Sequence, residues 1–277
     1  MASVSAELID WPKVPNVELV TYACTSSSKN EHKARSGRAL AEIKRRGPAG
    51  IRALMDQMHI NNIYIRVHAD NIIRRDKNPA FAPVLLPYLQ SEHERTRKYA
   101  AYLLGYYELP EHRDQLLPLL EHEKTEGPAI RSLGKWKVSS AVPKILPYLK
   151  HEKEVLRILA ANALRDIADP NTAEALIEAL GDPVFTVRMT AARALTALGP
   201  EAQTTILAAM TPATNSTRRL LIQVLGDRGD DNVIDILELE LTSDDPQVVA
   251  ETANALRRLG ATNEVETLWF SVDETSK

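Results

Sequence analysis

Residues 182–198, DPVFTVRMTAARALTAL, decide the fold. Asp182 is placed to cap a helix N-terminus, and Pro183 suits the first helical position, where its missing N–H costs nothing. Val187, Ala191, Ala194, Leu195 and Leu198 then share one face at helical spacing before Gly199 closes the segment. With Leu195 as the anchor of this stripe, the equivalent apolar position recurs at Leu40, Ile73, Leu104, Leu133, Leu164, Leu225 and Leu256. The intervals along the chain are 33, 31, 29, 31, 31, 30 and 31 residues, a near-constant period that signals stacked repeats.

Each anchor helix follows a shorter apolar segment, such as FAPVLLPYL at 81–89, HRDQLLPLL at 112–120, AVPKILPYL at 141–149, AEALIEAL at 173–180 and VIDILELEL at 233–241. A unit therefore reads as helix A, turn, helix B. No stretch alternates apolar and polar residues as a strand would. One short helix pair cannot hide its apolar face, so neighbouring pairs must stack to make a continuous core. The pattern predicts a single all-α domain over 1–277 with about eight such pairs. A first helix at 15–24 and a turn at 26–30 open it, and a capping helix near 263–272 closes it.

The order Asp182, Pro183, Val187, Arg188, Ala191, Ala192, Ala194, Leu195, Leu198 and Gly199 resembles the short HEAT-like repeat of phycobilisome-lyase-type proteins and many bacterial scaffolds. That resemblance covers nearly the whole chain. It implies a right-handed α-solenoid whose B helices line the concave surface. Such repeats serve scaffolds and a few enzymes alike.

Composition removes several classes. The 37 acidic and 34 basic residues give a net charge of -3, which argues against coating nucleic acid by charge alone. The single cysteine, Cys24, allows no intramolecular disulfide and no cysteine-based zinc site, and reads as a buried small residue. No run is long and apolar enough to span a membrane, and MASVSAELIDW lacks the basic and apolar regions of a signal peptide. A cytoplasmic location is expected.

Residues at one offset from the anchor form a column through stacked repeats. Seven before it stand Lys33, Arg66, Arg97, Glu126, Arg157, Arg188, Arg218 and Val249, read as a ladder onto carboxylates of adjacent turns, such as Asp182 near Arg188, rather than as a phosphate stripe. Two before it stand Arg38, Asn71, Tyr102, Arg131, Asn162, Arg193, Gln223 and Asn254. One turn further on the same face are Glu42, Arg75, Tyr106, Lys135, Asp166, Ala197, Asp227 and Arg258. These side chains combine donors with apolar bodies, the types enriched where proteins grip partners. Tyr102, Tyr106, Arg131, Lys135, Asn162 and Arg193 are accordingly the candidate partner-binding residues, for a protein or peptide on the helix-B face of a non-enzymatic scaffold. In the fourth unit Gly127-Pro128 is expected to delay helix B and leave a notch beside the tyrosines, with Trp136 in the core.

Enzyme alternatives leave few residues in place. His93-Glu94, His122-Glu123 and His151-Glu152 are the pair type that supplies iron ligands in HEAT-like deoxyhypusine hydroxylase. In that family the pairs lie inside helix B; here they fall in A–B turns, and no metal or other cofactor is expected. A HEAT-like alkylpurine DNA glycosylase needs a basic groove with tryptophans, yet Trp11 and Trp269 lie near the ends and Glu42, Asp166 and Asp227 interrupt the stripe. No residue selects a tetrapyrrole, so a bilin lyase or isomerase rests on repeat type alone.

Overall fold

The computed structural model describes residues 9–25, 30–107 and 110–261. The capping helix expected near 263–272 and most of the turn expected at 26–30 lie outside them. The chain forms two compact units, residues 1–136 and 137–277. In the first, helix pairs run α1 (Asn16–Ala23) with α2 (Asn30–Arg45), and α3 (Pro48–Asp56) with α4 (Ile63–Asp76). They continue with α5 (Ala82–Leu85) before α6 (Glu94–Leu104), and with short 3-10 turns before α7 (Glu126–Lys135). The second unit contains α8 (Val142–Ile145), α9 (Glu154–Ile167), α10 (Ala173–Ala179), α11 (Phe185–Ala197) and α12 (Gln203–Met210). It ends with α13 (Asn215–Arg228), α14 (Ile234–Glu240) and α15 (Pro246–Arg258). Every regular element among the described residues is helical.

The apolar anchors build the core of each unit. Ile73, Leu104 and Leu133 in the first unit, and Leu164, Leu195, Leu225 and Leu256 in the second, are at most 1% exposed. Leu40, in the first pair, is half-buried. Full burial of such a side chain is worth about 1.5–3 kcal/mol. The opposite face of each B helix stays wet: of the two columns flanking the anchors, only Glu42 is buried.

Proline divides the A segments into two kinds. Where the sequence carries Leu-Pro near the middle, the segment is one α-turn or less followed by a 3-10 turn: α5 then Leu86–Gln90, α8 then Leu146–Lys150, and Pro110–Gln115 then Leu117–Glu121. Pro87, Pro118 and Pro147 have no N–H to continue an i to i−4 ladder. AEALIEAL has no proline and forms the unbroken α10.

The arginine column is structural: its members reach mainly backbone carbonyls, and the Asp182 carboxylate pairs with Arg157 where the sequence had set it beside Arg188. Arg97 donates to the Ser91 and Glu92 carbonyls at 2.7 and 2.9 Å. Arg157 does the same to His151 and Glu152, and Arg188 to Asp182 and Pro183. Each guanidinium thus satisfies carbonyls of the turn entering its own helix. The Asp182 carboxylate is held by Arg157, through Nε at 2.7 Å and a second nitrogen at 3.0 Å, with both side chains about nine-tenths buried. Asp182 also accepts from the Val184 N–H at 2.8 Å, so it caps the turn ahead of α11, three residues before the helix begins at Phe185.

Arg228 performs the complementary task at a helix end. It donates to the carbonyls of Leu195, Leu198 and Gly199 at 3.2, 2.8 and 3.2 Å, covering the C-terminus of α11 from α13. Its side chain is 5% exposed and lies 3.4 Å from an Asp230 oxygen. Arg228→Ala removes three charge-assisted bonds from a buried site. We expect a loss of about 2–4 kcal/mol in urea unfolding, while a shift within error would show that water replaces the guanidinium.

Candidate functional site

On the wet helix-B face of the first unit, three consecutive B helices meet through polar aromatic contacts. Tyr102 and Tyr106, one turn apart at the end of α6, pack edge to face with ring centroids 5.8 Å apart. Their hydroxyl oxygens are 3.0 Å apart, and the Tyr106 hydroxyl donates to Asp70 Oδ1 of α4 at 2.9 Å. Because the single proton of Tyr106 goes to Asp70, the Tyr102 hydroxyl must be the donor between the rings. Burial, together with Tyr102 and the Asp70 carboxylate, pushes the Tyr106 hydroxyl well above the ordinary tyrosine range.

Arg131 of α7 completes the cluster from the other side. Its guanidinium carbon lies 4.6 Å from the Tyr102 ring centre and 5.7 Å from that of Tyr106. Burial works against its charge, but hydrogen bonds with both tyrosines outweigh that cost and raise its pKa further. A cation over a ring gains about 0.5–2 kcal/mol, more as water is excluded. Asp70 is also 3.9 Å from Arg74, which donates to Asn71 at 3.2 Å.

The six candidate residues divide between the units. Tyr102, Tyr106 and Arg131 touch one another; Lys135, one turn after Arg131 on α7, is exposed. Asn162 and Arg193 belong to the second unit, where Asn162 donates to the Ile158 carbonyl of its own helix at 3.0 Å and Arg193 is exposed. Asp70 and Arg74 were missed by the column reading. Asp70 lies three residues before the anchor Ile73, a slot that holds Gly37, Ala101, Ile130 and Ala161 elsewhere, so a charge among small and apolar residues was the available signal.

Helix α7 begins at Glu126, ahead of Gly127-Pro128, so those residues do not delay it. It is nonetheless the shortest B helix among the described residues. Gly127 and Gly134 are buried, and Ser132 donates to the Ala101 carbonyl of α6 at 2.7 Å. At Gly105 an added Cβ would stand 2.5 Å from Ser132 Oγ. Gly105 thus permits close approach of α6 and α7 beside the place where a notch was expected. Trp136 is buried.

A cleft of about 350 Å³ lies in the second unit, lined by residues of the 149–157 and 175–183 segments. Four of its charges are paired, Lys150 with Glu178 at 2.8 Å and Arg157 with Asp182. The His-Glu pairs lie in turns or at helix starts: His93 precedes α6, His122-Glu123 precedes α7, and His151-Glu152 precedes α9. Among the described residues no three His, Cys, Asp or Glu side chains are grouped so as to hold a metal ion. No described helix is long and apolar enough to cross a membrane. His68, half-buried, sets Nε2 3.0 Å from the Ala23 carbonyl and its ring beside Tyr64.

Stacked helix pairs with buried anchors and arginine-tied turns define a repeat fold of the HEAT class. Residues 124–196 and 142–219 match the family model of HEAT repeats. No curated protein sequence matches the chain. Among solved structures, YibA of Escherichia coli is similar at 18% identity over 89% of this chain and 93% of that one, with a TM-score of 0.50. Kap121p is similar at 13% identity over 87% of this chain and 33% of its own, with a TM-score of 0.57. Human deoxyhypusine hydroxylase, in complex with glycerol, aligns at 18% identity over 88% and 96% of the two chains, with a TM-score of 0.37. At these identities the likeness to YibA and Kap121p concerns the fold alone.

Glu42 sets the acid response of this face in the first unit. It is 6% exposed and accepts from Arg45 through two nitrogens at 2.7 Å and from Arg46 at 2.9 Å. The Arg45 bond, with further help from Arg46 against burial, brings its pKa down to about 2 from 4.5. A carboxyl depressed in this way stabilises the fold fully above its unfolded pKa and loses that contribution as pH falls toward the folded value. Glu42→Gln should therefore lower stability at neutral pH and flatten the stability profile between about pH 4.5 and 2. Urea unfolding at a series of pH values checks this, and an unchanged acid limb would contradict it.

Proposed function

We propose that the chain is a non-enzymatic scaffold that binds a protein or peptide on the exposed helix-B faces. The contact centre is at Tyr102, Tyr106 and Arg131, with Lys135 beside them. The observation that carries this reading is the Tyr102–Tyr106–Asp70–Arg131 arrangement, which is tied by hydrogen bonds and cation–ring contacts yet remains partly accessible to solvent. Binding-energy hot spots are enriched in Tyr and Arg whose geometry is fixed before the partner arrives, because little conformational entropy is then lost on association. With both hydroxyl protons spent within the chain that ends on Asp70, the tyrosine oxygens offer acceptors at fixed positions and Arg131 offers donors. Asn162 and Arg193, each two residues before its anchor, hold the equivalent position on B helices of the second unit and are proposed as secondary contacts there. HEAT-type architecture is compatible with such a role and does not by itself require it.

The test is affinity capture from lysate with wild type and with Tyr102→Ala, Arg131→Ala, Lys135→Ala combined, both shown to be folded by circular dichroism. A protein retained by wild type should be lost by the variant, and loss of the contact centre should weaken binding by about 2–4 kcal/mol in titration with that protein. Equal retention by both would remove this surface from consideration.

A further inference from the structure

The helix-B face of the first unit is chemically uneven. Along α4, Ile63, Val67, Asp70, Asn71, Arg74 and Arg75 fall within one side of the helix, opposite the buried Ile65, Ala69, Ile72 and Ile73. Its first two turns are apolar and wet: Ile63 is 57% exposed, Tyr64 40% and Val67 42%, with Ile60 just ahead at 44%. Its last turn is cationic. The neighbouring B helices continue the positive end, with exposed Lys98 one turn before Tyr102 on α6, and with Arg131 and exposed Lys135 on α7.

The carboxylates of this face are already engaged. Asp70 accepts from Tyr106 and lies beside Arg74, and Glu42 is buried under Arg45 and Arg46. The field presented outward is therefore positive. It is also local: the first unit has twenty Lys and Arg against sixteen Asp and Glu, whereas the second has fourteen against twenty-one. In the second unit the corresponding columns carry Asp166, bonded to Arg165, and Asp227, paired with Arg258.

Resting on the protein-binding role proposed above, we propose that the partner of this face is an acidic peptide segment carrying aliphatic or aromatic anchors. Its apolar side chains cover Ile63, Tyr64 and Val67, and its carboxylates meet Arg131, Lys135 and Arg75. An apolar patch bordered by cations is complementary to that chemistry and to neither a basic nor a wholly polar segment. Arg131 is suited to the carboxylate because two tyrosines hold its planar donor fork and strip part of its water. A nucleic acid would find few cations, a carboxylate at the centre and aliphatic side chains its backbone cannot use.

A random peptide library displayed on phage, selected against the full chain, tests the chemistry without a known partner. Selected peptides are then synthesised and titrated by fluorescence anisotropy at low and high salt. Wild type is compared with Arg131→Glu plus Lys135→Glu, and independently with the exposed pair Arg75→Glu plus Lys98→Glu should the first variant lose its fold. The expected peptides intersperse Asp and Glu with Leu, Ile or Phe, bind more weakly at high salt, and lose about tenfold or more in affinity to either variant. Basic or neutral peptides that the variants also lose would overturn the acidic chemistry while leaving the binding role in place. Acidic peptides bound equally by wild type and both variants would overturn the location. Recovery of no peptide would overturn the inference and the binding role together, and tight salt-sensitive binding of a single-stranded oligonucleotide in that case would assign the face to nucleic acid.

Discussion

A pair of short helices cannot bury the stripe that runs through Leu195 or Leu133; only the next pair in the stack can. That dependence of each repeat on its neighbour organises both units. It fixes the side of every B helix that faces inward, and so fixes which side is left for other purposes. The columns beside the anchors are wet because the anchors are dry. Long side chains can then be varied on that surface at little cost to the core.

Polar groups carry the second level of order. Of the arginines seven residues before the anchors, Arg97, Arg157 and Arg188 turn back onto carbonyls of the entering turn, while Arg66 lies over the Tyr99 ring and donates to its hydroxyl. Arg157 adds a bidentate grip on a carboxylate of the next repeat. The cations that face outward on the first unit lie on different columns, which is why position, more than the number of basic residues, distinguishes a fastening arginine from one presented to solvent.

The repeat architecture was legible because burial periodicity is a local property, visible every 29 to 33 residues without any knowledge of tertiary structure. Tyr102, Tyr106 and Arg131 were legible as neighbours for the same reason: equal offsets in stacked repeats become adjacent in space. Other features depend on pairings that offsets do not encode. Asp182 reads as a helix cap from its local sequence, yet its carboxylate is claimed by Arg157, 25 residues earlier. Asp70 sits outside both columns and gains its role only when Tyr106 reaches across from the next B helix. The Leu-Pro segments have apolar spacing suited to α-helix, but Pro87, Pro118 and Pro147 withhold the amide that the spacing presumes.

Those prolines have a consequence for how the molecule breathes. A 3-10 turn of five residues has poorer hydrogen-bond geometry than an α-helix, and a proline within it deletes one donor outright. The 86–90, 117–121 and 146–150 segments are thus the places where backbone amides open to solvent with the least disturbance of the core. Amide protection should be graded across those three repeats, low along the proline-broken A segments and high along the B helices that hold the anchors. A surface mounted on the protected layer keeps its shape while the layer behind it fluctuates.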